Sequence, residues 1–132
     1  IPVVQLSLLH SLDAAKHIAL GEAIAALREQ GVLIIGSGMS FHEINGTYAQ
    51  SAAFDDWLTE SLVSKPVEES KKRLSNWTLA PAARDCHARE DHLLPLHVCF
   101  GAATAHADPL TSAQKVYAGL LFGKRIAAFL WH

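Results

Sequence analysis

Two stretches of the sequence contain the residues best suited to chemistry, and histidine dominates both. The first reads GVLIIGSGMSFH over residues 31–42 and ends at His42. The second reads CHAREDHLLPLHVCFG over residues 86–101. Histidine transfers protons near neutral pH, and a neutral imidazole is a common metal ligand. Each histidine is therefore a candidate acid–base residue or ligand, with a structural role that only satisfies backbone hydrogen bonds as the alternative.

The residues before His42 predict a buried strand followed by a sharp turn. Residues 32–35 are apolar without alternation, which is typical of a strand buried on both faces of a parallel sheet. Gly36 and Gly38 are expected to supply turn conformations that other residues resist. Because sites in open α/β sheets form beyond the carboxyl ends of the strands, we expect His42 at such a site.

The second stretch contains three histidines at five-residue spacing, His87, His92 and His97. At about 100° per residue, successive histidines on one helix point about 140° apart, so the three cannot converge on one metal ion. His92 is the best candidate of the three because adjacent carboxylates could orient its ring. A hydrogen-bonded structural histidine remains the alternative. Of the remaining histidines, His17 is predicted to face water on a helix, and His10 to follow the first strand.

The elements that position these residues begin with a predicted strand at residues 2–8. Ser11 or Asp13 is predicted to cap a helix that runs to about Arg28 and stops at Gly31. A strand, a helix and a second strand form a right-handed βαβ unit with parallel strands.

Two further helices are predicted, one capped by Ser51 that runs through Leu62, and one that starts at Pro66 and ends near Trp77. Aromatic residues at helical spacing in these helices are expected to belong to the core rather than to a stacking platform for a ligand. They are Phe54, Trp57 and Trp77.

The carboxyl-terminal part predicts a helix with Pro95 in its first turn, then two strands at residues 115–121 and 125–131. A turn at Gly123 and Lys124 would join them as an antiparallel hairpin. The predicted fold is therefore α/β and phosphorylase/hydrolase-like. A mostly parallel central sheet is flanked by helices, with an antiparallel closing hairpin, in one domain over residues 1–132.

Composition excludes several classes of function. The net charge of −2 and the lack of a basic stripe beyond residues 71–73 argue against a nucleic-acid partner or an anionic membrane surface. Half of the residues are hydrophobic, which is enough for a core. The two cysteines, Cys86 and Cys99, form no CxxC pattern, so a reducing, cytoplasmic setting is expected. No signal peptide or membrane span is predicted.

The segments PVVQLSL, SLDAAKHIALGEAIAALREQGVLIIGSGMSFH, AFDDWL and HAREDHLLPLHVCFGAA, in that order, resemble the carboxyl-terminal half of the catalytic chain of class III extradiol ring-cleavage dioxygenases. The likeness is to the branch that includes DOPA 4,5-dioxygenase-like enzymes. It implies an α/β fold and an enzyme that uses non-haem Fe(II), or zinc in some relatives. Such an enzyme inserts both atoms of O2 into a catechol, a small aromatic diol.

The resemblance also implies roles for two residues. His42 matches the acid–base residue beside the metal, which in some relatives also contacts it, and His92 matches a metal ligand of the DOPA-type branch. Imidazole and carboxylate ligands on one face of iron leave positions open for a catecholate and O2. The remaining ligands are expected from an amino-terminal segment absent from this chain.

Some features depart from the family pattern. Glu43 stands where relatives usually have asparagine, and residues 43–50 and 117–126 are short. We therefore expect this chain to be part of a longer extradiol dioxygenase domain, or pieces of one joined across missing loops. The sequence does not fix which catechol is used, and it allows a homo-oligomer.

Two other functions remain open. One is a catalytically inactive partner subunit or structural α/β module of the same fold. The other is a zinc hydrolase that uses the same histidines, although the sequence has no nucleophile elbow and no HExxH pattern. The dioxygenase hypothesis requires the imidazoles of His42 and His92 to lie within about 10 Å of each other, since each must approach one ion.

Overall fold

A computed structural model describes residues 1–132 as five α-helices and one β-hairpin. The helices are α1 (Ala14–Ile24), α2 (Tyr48–Thr59), α3 (Val67–Ser75), α4 (Ala83–Cys86) and α5 (Leu94–Thr104), and the strands are β1 (Gln114–Leu121) and β2 (Lys124–Leu130). Shorter turns of 3₁₀-helix occupy Ala25–Gln30 and Trp77–Leu79, and a π-helical turn occupies Glu60–Ser64. None of the helices has the length and apolar character needed to cross a bilayer.

The core lies between the helices, with α1 packed along α5. Ile18 of α1 and Leu94 of α5 are fully buried, and Phe54 of α2 is buried beside Trp77. The prediction that Phe54 and Trp77 are core residues is confirmed, and Trp57 packs against the same core while partly exposed. Full burial of such side chains stabilises the fold by about 1.5–3 kcal/mol each.

Local signals set most helix starts. The Asp13 side chain accepts a hydrogen bond from the backbone N–H of Lys16, which confirms it as the cap of α1. Pro66 precedes α3 and Pro95 lies in the first turn of α5, both as predicted.

The start of α2 differs from the prediction. Its cap is Thr47, which forms a capping box with Gln50, while Ser51 lies inside the helix. The Ser51 hydroxyl donates to the carbonyl of Tyr48 and accepts a hydrogen bond from the backbone N–H of Arg125 in β2. Ser51 therefore ties α2 to the hairpin instead of capping the helix.

The predicted hairpin is confirmed, since β1 and β2 pair in antiparallel register with an irregularity between Lys115 and Tyr117. Its turn is one residue earlier than predicted. Phe122 and Gly123 both have positive φ, 48° and 75°, as a type I′ turn requires. Because only glycine adopts this backbone at little cost, the strain at this turn falls on Phe122.

The mostly parallel central sheet is not formed by this chain. The hairpin is the only sheet, and residues 2–8 and 32–35, both predicted as strands, pair with no other strand. The class is α/β in the coarser sense of helices with a two-stranded antiparallel sheet. The physical reason is that a strand forms only against a partner, and here nothing lies beside these segments to accept or donate the ladder hydrogen bonds.

Candidate metal centre

The imidazoles of His42 and His92 are stacked on each other. Their ring centroids are 3.6 Å apart, and the ring planes are inclined by 21°. His42 is exposed and His92 is partly exposed, so a small molecule can approach both from solvent. The distance required by the sequence-based hypothesis, less than about 10 Å, is met. No other two histidines of the chain stack on each other.

Backbone hydrogen bonds hold the two histidine loops together. The N–H of Met39 donates to the carbonyl of His92 at 2.9 Å. The N–H groups of His42 and Glu43 both donate to the carbonyl of Cys86, at 3.0 and 3.1 Å. The two loops are thus joined at two points, one between Met39 and His92 and one where His42 and Glu43 meet Cys86. The ring separation is therefore fixed by the backbone rather than by contacts between the rings alone.

Glycine at position 38 is required by this close approach. A Cβ atom there would lie 2.3 Å from the His92 carbonyl oxygen, well inside van der Waals contact. Gly36 is similarly close to the Pro95 carbonyl of α5, at 2.7 Å. Neither glycine has a positive φ, so the prediction that they supply special turn conformations is wrong. Both positions require glycine because two backbone segments are in contact there and leave no room for a side chain.

Asp91 orients the ring of His92. One carboxylate oxygen of Asp91 lies 3.3 Å from Nδ1 of His92. Burial raises the pKa of Asp91, but the hydrogen bond and charge of His92 and the charge of Arg89 together hold this pKa below its usual value. With Nδ1 facing a carboxylate, Nε2 is the nitrogen of His92 left to face a ligand.

His87 supports the loop that contains His42. Its Nε2–H donates to the carbonyl of Ser40 at 3.1 Å, and its Nδ1 is buried without a hydrogen-bond partner. Burial lowers the pKa of His87 to about 4, so the ring is neutral at physiological pH. The Ser40 hydroxyl in turn accepts the backbone N–H of Ala127 at 2.8 Å. Two hydrogen bonds at Ser40, one from His87 and one from β2, therefore hold this loop in place.

The other predicted histidines do not join the pair. His97 is fully buried in α5, and its Nε2 lies 3.0 Å from the carbonyl of Leu74. His10 is exposed. The prediction that His17 faces water is wrong, because it is fully buried. Its Nδ1–H donates to the carbonyl of Asp13, and its Nε2 accepts the N–H of Leu9. This histidine therefore links the backbone at Leu9 to α1.

The sequence-based reasoning did not identify one residue that positions the site. Asp55 of α2 is buried and accepts hydrogen bonds from Lys115 of β1 at 2.9 and 3.0 Å, and it also pairs with Arg125 of β2. This network places β2 where Ala127 reaches Ser40. The sequence feature that could have identified Asp55 is the acidic pair Asp55-Asp56 within an otherwise apolar helical pattern.

The site contains few metal ligands. No group of three or more His, Cys, Asp or Glu side chains in the chain is placed to hold a metal ion. His42 and His92 offer two imidazoles whose ring centroids are 3.6 Å apart, so both rings border the same space. The residues present therefore fit one side of a metal site but do not complete it.

Comparisons with known proteins all lead to one family of dioxygenases. A family described as the catalytic LigB subunit of aromatic ring-opening dioxygenase matches residues 1–129. The chain is 44% identical over 113 residues to 4,5-DOPA dioxygenase extradiol from Beta vulgaris, and 38% identical over 113 residues to the protein of that name from Mirabilis jalapa. Each match covers 78% of this chain and 40% of the relative.

A solved structure has the same fold. It is the crystal structure of an uncharacterised protein from Escherichia coli K12, with a TM-score of 0.77 and 26% sequence identity. The match covers 98% of this chain and 54% of that chain. The chain thus spans about two fifths of the curated relatives and about half of the solved structure.

Proposed function

Because this chain belongs to the family of catalytic LigB subunits of aromatic ring-opening dioxygenases, we propose that it is the carboxyl-terminal part of an extradiol ring-cleavage dioxygenase. The observation that carries the proposal is the pairing of His42 with His92 at a ring separation of 3.6 Å. The two are remote in sequence, and hydrogen bonds between their loops bring them together. A pair of imidazoles open to solvent is suited to a bound ion and its substrate.

His92 is proposed as a metal ligand through Nε2. Its Nδ1 faces Asp91, which fixes the ring orientation and makes the opposite nitrogen a better electron donor. The backbone of His92 is held by Met39, so the ligand is on a well-anchored segment. Non-haem Fe(II) is the metal we expect first, with zinc as the alternative, since imidazole suits both.

His42 is proposed as the acid–base residue of the reaction and as a further contact to the metal. No hydrogen bond within the chain occupies either nitrogen of its ring, so both are available to a bound molecule. Its imidazole can take a proton from a catechol hydroxyl and return it later in the turnover. The anchored backbone of His42 keeps the ring within reach of whatever lies beside His92.

When bound, the metal would supply adjacent positions for the catechol and O2 and let electron density pass from the catechol to O2. Both atoms of O2 enter the ring-opened product, and the catechol supplies the electrons, so no outside reductant is needed. The substrate class we propose is a catechol, with DOPA the first to test because two relatives are named for it. The remaining ligands are proposed to come from polypeptide outside residues 1–132.

The deciding experiment uses the complete natural polypeptide, loaded anaerobically with Fe(II). Adding DOPA or another catechol under air should produce the visible absorbance of a ring-opened product, with one O2 consumed per catechol. Both atoms of labelled ¹⁸O₂ should appear in that product. A protein that binds Fe(II) yet opens no catechol would contradict the proposal and favour the inactive partner subunit.

A further inference from the structure

The turn that follows His42 contains an asparagine–glycine pair, Asn45-Gly46. Asn45 is exposed, and its carboxamide makes no hydrogen bond within the chain. Glycine leaves the backbone nitrogen after an asparagine unshielded, because it has no side chain and adopts many backbone conformations. The Gly46 nitrogen is therefore open to close approach by the Asn45 carboxamide carbon, Cγ.

One hydrogen bond opposes this approach. The Gly46 N–H donates to the carbonyl of Glu43 at 3.2 Å, which is the long end of the range for such bonds. The bond closes a short turn outside any helix or strand. Because exposed turns open locally at a much lower free-energy cost than core elements, the turn can open while the helices stay folded.

Glycine at position 46 is required by the fold. A Cβ atom there would lie 2.5 Å from Cζ of Phe41, whose ring belongs to the buried core. A larger residue would shield the backbone nitrogen, but it would also displace this ring. The core therefore keeps an asparagine–glycine pair three residues after His42.

The other asparagine of the chain, Asn76, has different surroundings. It is also exposed, but its Nδ2 donates to the carbonyl of Lys72 at 2.8 Å. The next residue is Trp77, which is 2% exposed and begins a 3₁₀ turn. A bulky residue fixed in the core keeps its backbone nitrogen away from the carboxamide carbon. Asn76 is therefore an internal control for Asn45.

We propose that Asn45 is a site of spontaneous deamidation, and that this modification alters the loop containing His42. The Gly46 nitrogen attacks Cγ of Asn45, a C–N bond forms to close a cyclic succinimide, and the bond between Cγ and Nδ2 breaks. The proton of the Gly46 N–H leaves with the side-chain nitrogen as ammonia. Water then hydrolyses either C–N bond of the succinimide ring, which gives aspartate or isoaspartate without any change of oxidation state.

The isoaspartate product lengthens the main chain, because the backbone then passes through the former side chain and gains one carbon atom. Both ends of the turn are anchored. The N–H groups of His42 and Glu43 donate to the carbonyl of Cys86, and Thr47 caps α2. The added length must be taken up between these anchors, so the bond from Gly46 to Glu43 breaks and the bonds to Cys86 weaken. The ring of His42 then loses its fixed position.

The modification is tested on the complete polypeptide, held at mildly alkaline pH, where a backbone nitrogen loses its proton more readily. Trypsin cuts within residues 71–73, so one digest separates the two asparagines, and mass spectrometry measures conversion of amide to acid at each. Asn45 should convert at least about tenfold faster than Asn76. An isoaspartyl methyltransferase should label the product. Asn45→Gln should show neither change, because its longer side chain closes a less favourable ring.

The effect on the loop is measured by hydrogen–deuterium exchange, which needs neither metal nor substrate. In protein in which most of Asn45 has converted, the amides of His42 and Glu43 should exchange about tenfold or more faster than in fresh protein. Freshly prepared Asn45→Asp has the added charge without the longer main chain, so these amides should exchange as in the wild type. Catechol turnover should fall as isoaspartate accumulates, and this last expectation alone rests on the proposed function.

Two results would overturn the proposal. One is conversion of Asn45 no faster than that of Asn76. The other is unchanged exchange at His42 and Glu43 in protein that contains isoaspartate at position 45. If conversion and exchange occur as expected but the fresh polypeptide opens no catechol, the dioxygenase proposal fails and the modification stands.

Discussion

The imidazole of His42 stacks on that of His92, with 3.6 Å between ring centroids. Imidazole donates to metals through lone pairs in the plane of the ring, so the two histidines would hold a shared ion with their ring edges and not with their stacked faces. Asp91 occupies Nδ1 of His92, which leaves the Nε2 edge for the ion. The geometry thus separates the roles of the two histidines in a way that substitution can test.

Substituting each histidine by glutamine in the complete polypeptide should have different effects. His92→Gln removes a ligand, so bound Fe(II) and activity should both be lost. His42→Gln should lower the turnover number by about a hundredfold to ten-thousandfold with a smaller loss of metal, as expected for an acid–base residue. Metal analysis and catechol turnover separate the two effects. His10→Gln, at an exposed position, is the control and should behave as wild type.

Asp91→Asn should weaken metal binding without removing a ligand. The amide keeps the size of the carboxylate but not its charge, so Nδ1 of His92 loses its anionic partner. Loss of such a partner typically lowers metal affinity by about tenfold to a hundredfold. A metal titration monitored by calorimetry measures this directly. Asp85→Asn, an exposed aspartate on α4, should leave the affinity unchanged, and an equal loss in both variants would argue against the role of Asp91.

Sequence-based reasoning succeeded where the signal is local. The Asp13 cap, the prolines at the starts of α3 and α5, and the hairpin depend on residues close in the chain, and the structure confirms them. It failed where the outcome depends on distant partners. Residues 32–35 have a strand sequence but no strand beside them, so burial on both faces could not occur.

The same distinction applies to the candidate site. His17 is buried on a helix where its ring accepts a hydrogen bond from the distant Leu9 N–H, which periodicity alone does not reveal. His42 and His92 came from the family resemblance together with their flanking residues. The three histidines of the second stretch are indeed separate, but not because they share one helix. They lie at the end of α4, in the following turn and within α5.

Asp55→Ala should destabilise the fold strongly. Asp55 is 2% exposed and is the shared partner of Lys115 and Arg125, so its removal leaves Lys115 without a counter-charge and Arg125 with only the exposed Asp56. Breaking a buried ion pair from one side costs about 3–5 kcal/mol. Urea denaturation should report this loss in the free energy of unfolding. Its neighbour Asp56 also pairs with Arg125 but is largely exposed, so Asp56→Ala should cost less than about 1 kcal/mol.

Stability should fall as the pH drops below about 6.5, since two buried histidines stay neutral in the folded state. Burial lowers the pKa of His87 and of His97 to about 4. In the unfolded chain both ionise near pH 6.5, so between these values the unfolded state binds more protons and is favoured. The stabilisation is complete above pH 6.5, and each histidine lowers it by up to about 3 kcal/mol as the pH approaches 4.

Urea denaturation from about pH 7.5 to about pH 4.5 measures this slope. His97→Gln retains a hydrogen-bond donor toward Leu74 but cannot ionise, so it should reduce the slope by the contribution of one histidine. His10→Gln should leave the slope unchanged. A wild-type free energy of unfolding that is flat between about pH 6.5 and about pH 5 would contradict the assignment of neutral buried rings.

Gly38→Ala should disable the site while leaving the helices folded. The added Cβ would lie 2.3 Å from the His92 carbonyl oxygen, so the hydrogen bond from Met39 to that carbonyl must break and the two loops must separate. Displacement of a reacting group by about 1 Å can cost about a hundredfold in rate, and overpacking costs about 1–3 kcal/mol in stability. We therefore expect catechol turnover in the complete polypeptide to fall about a hundredfold, with the far-ultraviolet circular dichroism unchanged. Ser37→Ala, at the exposed neighbouring position, adds no atoms and should retain full activity. If Gly38→Ala turned over catechol at the wild-type rate, close contact between the two loops would not be what holds His42 in place.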